Sequence, residues 1–254
     1  MSVLRPVELG TAEERSLLGR TSPLVKLGVA VAWLVGLATT VDPRPGLFLA
    51  TAALLAMPLL GDVPGERLRR GLLPLAVAAA GIGLANLLFA APNVDPAATE
   101  LARIGPLRLT VEGASAALGL TARVMAIAAA GAAFTLTTSA TRLADALVQQ
   151  ARLSPRFAYG ALAAYQAVPG LAADFATLRG ARRLRGLPAW YPRILVGLLI
   201  RAIRHADQLA VAMDARAFGD GPRTTYRPIR WHLEDAAVGA MGLFLLAVAL
   251  LGGR

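Results

Sequence analysis

Uninterrupted apolar runs of bilayer length constrain this chain more than any other feature it has. Residues 71–91 carry no charge at all, over about the 20 residues that a helix needs to cross hydrocarbon. Residues 114–138 carry only Arg123. Residues 24–41 carry only Lys26, placed near the end of the run where a lysine can reach the headgroups. Residues 46–60 are apolar but short, and they span if their ends lie in the interfacial layer; residues 235–251 form the last candidate. The expectation is an all-α integral membrane protein with about five transmembrane helices. The start of the chain lacks the basic segment, short apolar run and cleavage site of a signal peptide, so the first span is expected to stay as an anchor.

Composition points the same way. Of 254 residues 56% are hydrophobic and 17% charged, with mean hydropathy +0.57, whereas a soluble domain carries nearer a quarter charged residues. Cysteine is absent, which removes disulfides, thiolate catalysis and Cys-based metal sites together. The net charge of +10 comes from 26 basic against 16 acidic residues, and every basic residue except Lys26 is arginine. Such a balance suits nucleic acid, anionic lipid headgroups or an acidic protein partner.

The placement of arginine sets an orientation. Residues 42–45 and 92–112 hold three arginines against four acids, residues 61–70 three against two, and residues 139–231 fourteen against five. By the positive-inside rule the N-terminus, the short 61–70 loop and the 139–231 stretch are cytoplasmic, and the C-terminus is outside. The chain then divides into an N-terminal transmembrane bundle (1–138), a cytoplasmic region (139–231) and a C-terminal transmembrane helix (232–254). Within the spans small residues recur every four positions: Gly28, Ala32 and Gly36; Gly81 and Ala85; Ala122, Ala126 and Ala130. Such faces let helix backbones approach closely in lipid, and packing inside this bundle is their expected use, with a share left for a partner membrane protein.

The cytoplasmic region contains two long amphipathic helices built alike. Phe157, Ala161, Ala164, Val168, Leu171, Phe175 and Leu178 alternate spacings of four and three, which draws one apolar stripe along a helix that Pro169 should kink. Leu195, Leu199, Ala202, Ala206, Leu209 and Met213 repeat the spacing in a second helix opened by Pro188. A shift of 31 residues superposes Val168 on Leu199, Leu178 on Leu209 and Arg185 on Arg216. Continued past its last apolar member, each stripe meets arginine, at Arg182 and Arg185 in the first helix and at Arg216 in the second. The helix dipole favours cations at these ends by about 0.3 to 1 kcal/mol, which accounts for the charge but not for its register. A merely solvated arginine belongs on the opposite face, where Arg201, Arg204 and Asp207 are expected.

Residues 181–186 (Ala-Arg-Arg-Leu-Arg-Gly) and 207–219 (Asp-Gln-Leu-Ala-Val-Ala-Met-Asp-Ala-Arg-Ala-Phe-Gly) closely resemble the transmembrane T component of energy-coupling factor transporters (EcfT, including the CbiQ branch). That family carries two short Ala-Arg-Gly motifs at the ends of two cytoplasmic coupling helices. They map to Leu184-Arg185-Gly186 and Ala215-Arg216-Ala217, with leucine in place of alanine in the first and alanine in place of glycine in the second. Alanine resists the left-handed cap that glycine allows. Residues 22–27 (Ser-Pro-Leu-Val-Lys-Leu) are similar to the Pro-x-x-Lys-Leu that precedes the family's first span. The resemblance implies a multi-pass subunit of the cell's inner (plasma) membrane that joins a substrate-binding S component to two cytoplasmic ABC-type ATPases. It implies no cofactor and no catalysis by this chain, and import of a vitamin, vitamin precursor or transition-metal ion. Arg185 and Arg216 would each enter an ATPase groove and meet an acidic side chain there, while the apolar stripes pack the coupling helices on each other and under the S component.

Rival functions lack their residues. A membrane-embedded enzyme needs polar catalytic groups at membrane depth. The sequence has no His-Glu-x-x-His and no Gly-x-Ser-x-Gly, and His205 and His232 fall outside the clear spans. No Walker A sequence occurs, which argues against nucleotide binding by this chain. A secondary transporter would show an inverted repeat or charges at paired midspan positions, and a nucleic-acid binder would interleave basic residues with exposed aromatics on a soluble face. Arg123, the single ionisable residue deep in a span, is expected to pair within the bundle or to snorkel.

Overall fold

The computed structural model describes residues 16–40, 42–90, 98–104, 107–188, 191–218, 225 and 227–252. Val41, Ala91 and Gly219, which close the expected first and third spans and the arginine motif, lie outside them. In chain order the elements are α1 (Leu17–Arg20), α2 (Pro23–Ala38), α3 (Pro43–Gly61), α4 (Gly65–Phe89), β1 (Glu100–Ile104), β2 (Leu107–Thr110), α5 (Val111–Leu136), α6 (Ala140–Gln149), α7 (Pro155–Leu184), α8 (Arg193–Ala215) and α9 (Leu233–Gly252). The chain forms two units, Met1–Leu143 with Arg230–Arg254, and Ala144–Ile229. It is an all-α membrane protein, with one antiparallel hairpin as its exception, in which β1 pairs with β2 and Arg103 lies opposite Arg108.

Helices start where local chemistry prepares them. Proline at the first position, with its fixed φ, opens α2, α3 and α7. Thr110 caps α5, its hydroxyl accepting from the Gly113 amide at 3.0 Å. In the first unit the helices close around Trp33, Leu37, Leu49, Met57, Leu72 and Ala126, and the Trp33 indole donates to the carbonyl of Gly242 on α9 at 2.8 Å. Alpha-helices α3 and α5 approach so closely that a Cβ on Gly46 would stand 2.8 Å from the Ala122 carbonyl carbon.

Among the described residues four helices, α3, α4, α5 and α9, are long and apolar enough to cross a membrane. The expected first span is the exception: α2 has 16 residues, or about 24 Å against the roughly 30 Å of hydrocarbon, because the helix stops at Ala38 rather than running on to Val41. The small-residue faces divide as well. Ala122 and Ala126 are buried and Gly36 meets Leu246, but Gly28, Gly81 and Ala85 point away from the bundle, and α4 packs instead through buried Ala79 and Gly83.

Three cations close helix ends inside this unit. Lys26 does not extend outward as a snorkelling lysine would; it is 9% exposed, and its Nζ donates to the carbonyls of Thr137 at 2.8 Å and Leu18 at 2.9 Å and to the Thr137 hydroxyl at 3.3 Å. Thr137 is the C-cap of α5, so the ammonium sits on carbonyls that have no donor within their own helix and at the negative end of its dipole. Arg123 donates to the carbonyl of Thr40, just beyond the end of α2, and so pairs within the bundle. Arg142 donates to the carbonyls of Gly19 and Arg20 at the end of α1. A carboxylate does the converse: buried Asp235 accepts from the amide of Ser22 at 2.6 Å, before α2, and from that of His232 at 2.9 Å, before α9. Replacing Lys26 by Met keeps the length of the side chain but strands these acceptors. The change should destabilise the protein by about 3 kcal/mol, read as a lowered thermal unfolding midpoint in detergent; a lysine lying at the headgroups would leave that midpoint unmoved.

Candidate functional site

The second unit is built on α7 and α8. Contacts between them run from Arg182 with Tyr191, through Asp174 with Arg201, to Tyr159 with Phe218. Position falls along one helix as it rises along the other, so the two form an antiparallel hairpin. Alpha-helix α7 continues through Pro169, whose missing amide leaves the Tyr165 carbonyl without its helical donor. Between the helices lies an open groove of about 1150 Å³, with Ala163, Ala167 and Gly170 on one wall and Ala202, Ala206 and Leu209 on the other.

Both helices end in the same cap. Arg185 is the C-cap of α7 and Gly186 follows with φ +69; the amide of Gly186 donates to the Arg183 carbonyl at 3.0 Å and that of Leu187 to the Arg182 carbonyl at 3.1 Å. Arg216 is the C-cap of α8 and Ala217 follows with φ +52; the amide of Ala217 donates to the Asp214 carbonyl at 2.8 Å and that of Phe218 to the Met213 carbonyl at 3.0 Å. Each is a Schellman motif, and alanine takes the left-handed position despite its Cβ. Leu184, Arg185, Gly186, Ala215, Arg216 and Ala217 are all exposed, with Leu184 at 91%. Because α7 and α8 are antiparallel, the two caps stand at opposite ends of the hairpin, separated along α7 by on the order of 40 Å from Tyr159 to Arg185.

The stripes are only half used. Leu171, Phe175, Leu178, Leu209 and Met213 are half-buried, while Phe157, Val168, Leu195 and Leu199 are exposed. Ile203 and Val211 add to this outward apolar surface. Arg201 is exposed, as expected of the polar face, and its guanidinium also reaches across the groove to the Asp174 carboxylate at 3.0 Å. Arg182 turns back into its own connection, donating to the Pro188 carbonyl at 3.0 Å with its guanidinium 5.1 Å from the Tyr191 ring centre. The Arg185 guanidinium makes no hydrogen bond or ion pair among the described residues. His205 and His232 are exposed, and among the described residues no cluster of three or more His, Asp or Glu could hold a metal.

Glycine at position 217 would relieve about 1 kcal/mol of left-handed strain. In the Ala217→Gly protein, amide exchange at Phe218 should therefore slow about fivefold; unchanged exchange would mean that the cap carries no such strain.

The family model for cobalt transport proteins, CbiQ, matches residues 14–226. The chain is 28% identical to the energy-coupling factor transporter transmembrane protein EcfT of Thermosediminibacter oceani, over 94% of each chain. It is 30% identical to the EcfT of Limosilactobacillus fermentum, over 87% of each. It is also 26% identical to a Bifidobacterium longum protein provisionally named an ABC transporter ATP-binding protein, across 98% of this chain but only 33% of that one. With the matched model covering most of its length and the capped arginine motifs within the match, the chain belongs to the CbiQ family of cobalt transport proteins, as a transmembrane T component of the energy-coupling factor type.

Proposed function

We propose that this T component couples ATP hydrolysis by two cytoplasmic ABC-type ATPases to the reorientation of a substrate-binding S component, which releases a vitamin, vitamin precursor or transition-metal ion inside the cell. The observation that carries the reading is the pair of identically capped arginines at opposite ends of one hairpin. Arg185 and Arg216 each enter a groove of one ATPase and meet a carboxylate there in a charge-assisted contact. The chain itself is the non-catalytic subunit, in keeping with a sequence that has no phosphate-binding loop. Phe157, Val168, Leu195 and Leu199 form, with Ile203, an outward apolar surface of the kind that an apolar partner or lipid covers. The S component is that partner.

In this reading the arginine-rich region and the N-terminus face the cytoplasm and the C-terminus faces outside. The natural chain has no cysteine, so single cysteines report cleanly. Those at Ser154 and Thr225 should be labelled only from the cytoplasm, and one after Gly253 only from outside; labelling of the Thr225 cysteine by an impermeant reagent on intact cells would reverse the orientation.

Reversing an arginine that faces a carboxylate removes the contact and sets two like charges together, at about 2 to 5 kcal/mol. Arg185→Glu and Arg216→Glu should each cut transport steeply with insertion intact, and the double variant should release the ATPases. Arg201 is unsuitable as a control, since its reversal would repel Asp174. Arg69, exposed on α4 and outside the second unit, serves instead. If the double variant retains its ATPases as well as Arg69→Glu does, the arginines are helix-end charges and the coupling role is lost.

A further inference from the structure

The two arginine-bearing ends are capped alike but held differently. At the Arg185 end the side-chain ties among the described residues are local: Arg182 donates to the Pro188 carbonyl, and the guanidinia of Arg182 and Arg193 lie 5.1 and 5.8 Å from the Tyr191 ring centre, between the last turn of α7 and the start of α8. Leu187, the residue that completes this cap, is 46% exposed. At the Arg216 end the equivalent residue, Phe218, is half-buried and packs edge-on against Tyr159, with ring centres 6.4 Å apart and planes at 73°. The Tyr159 hydroxyl donates to the carboxylate of Asp145 on α6 at 2.7 Å, and Asp145 is only 7% exposed. The same helix holds the chain again after α8: the Gln149 amide donates to the Arg227 carbonyl at 2.9 Å and accepts from the Ile229 amide at 2.8 Å.

We propose that Tyr159 is a positioning residue that fixes the Arg216 end of α8 to α6, so that Arg216 is the anchored arm of the coupling pair and Arg185 the arm free to swing with the hairpin turn. The assignment of arms rests on the docking reading; the anchor itself does not. The ring of Tyr159 holds Phe218, which is joined directly to the left-handed residue of the cap, and its hydroxyl ties that ring to a buried carboxylate. Burial and the neighbouring Asp145 push the Tyr159 phenol up to about 12, so it remains a donor throughout the physiological range. An arm held at one end and loose at the other converts a shift at Arg185 into rotation of the hairpin about the Arg216 end.

The test uses the full chain in its assembled transporter, with nitroxide pairs at Ala151→Cys with Ala212→Cys (from just after α6 to α8) and at Ala176→Cys with Val196→Cys (near the hairpin turn). Tyr159→Phe keeps the ring and loses only the hydroxyl. It should broaden the α6-to-α8 distances, with about a fivefold larger detached population, the equivalent of one lost hydrogen bond, and leave the turn pair unchanged. Asp145→Leu should do the same, whereas Asp145→Asn, which retains an acceptor, should restore the narrow distribution. Substrate moved per ATP should fall in Tyr159→Phe while the ATPases still copurify. An α6-to-α8 distribution in Tyr159→Phe identical to that of the wild type, or equal broadening at both pairs, would overturn the anchor. ATPase retention by the Arg185→Glu, Arg216→Glu double variant would remove the docking reading without touching the distance result.

Discussion

In hydrocarbon the last carbonyls of a helix have no water to turn to and no donor left in their own helix. The first unit meets this constraint with buried and half-buried cations: Lys26 on the end of α5, Arg123 just past the end of α2, Arg142 on the end of α1. Each bond joins elements distant in sequence, so closing a helix end and fixing the tertiary arrangement are one act. Asp235 does the same at amide ends, linking the starts of α2 and α9. A buried charge is costly unless hydrogen-bonded. Here the bonds it makes are the ones the helix ends lack, which is why α2 can be short, carry a lysine and still sit in the core.

The second unit closes its helix ends in another way. The carbonyls of Arg182, Arg183, Met213 and Asp214 accept from backbone amides of the left-handed caps, so no cation is needed to satisfy them. Arginines at such ends are therefore not needed to satisfy the terminal carbonyls, as Arg123 and Arg142 are. Their register with the apolar stripes is not explained by the helix dipole, and the docking proposed above would account for it. Alanine at position 217 sharpens the point, since the left-handed cap forms there against the preference of its side chain.

Much of this was legible in the sequence because one solvent imposed it. Bilayer-length apolar runs revealed α4, α5 and α9, and two stripes with a shared repeat revealed α7 and α8. What stayed hidden were interactions whose partner lies far along the chain. Lys26 reads as a snorkelling lysine because nothing local shows that Thr137 waits 111 residues away. The ion pair of Arg201 is not legible because Asp174 is on another helix, and Gly81 with Ala85 reads as a packing face although the contact runs through Gly83. The stripes were legible as features of single helices, but not which of their members face the other helix: small residues let the groove form beside them, leaving Phe157 and Val168 outward. Tyr159 gave no signal at all, since a tyrosine in the first turns of a helix has many uses and only the fold brings Asp145 and Phe218 to it.

Geometry also limits what the pseudo-repeat can do. Two helices with arginine at matching C-terminal ends present those arginines side by side only if they run parallel. A short connection makes α7 and α8 antiparallel, and the C-termini of antiparallel helices lie at opposite ends. The repeat in sequence therefore becomes a pair of arms facing different places, separated by on the order of 40 Å at 1.5 Å per helical residue. Under the proposed docking, one groove cannot take both, and each arginine needs its own. The two arms are joined through the connection between α7 and α8 and then along α8, so in the proposed coupling a displacement at Arg185 becomes rotation of the hairpin about the Arg216 end. Between the arms run the exposed apolar residues, so whatever rests on that surface must follow the hairpin when an arm moves.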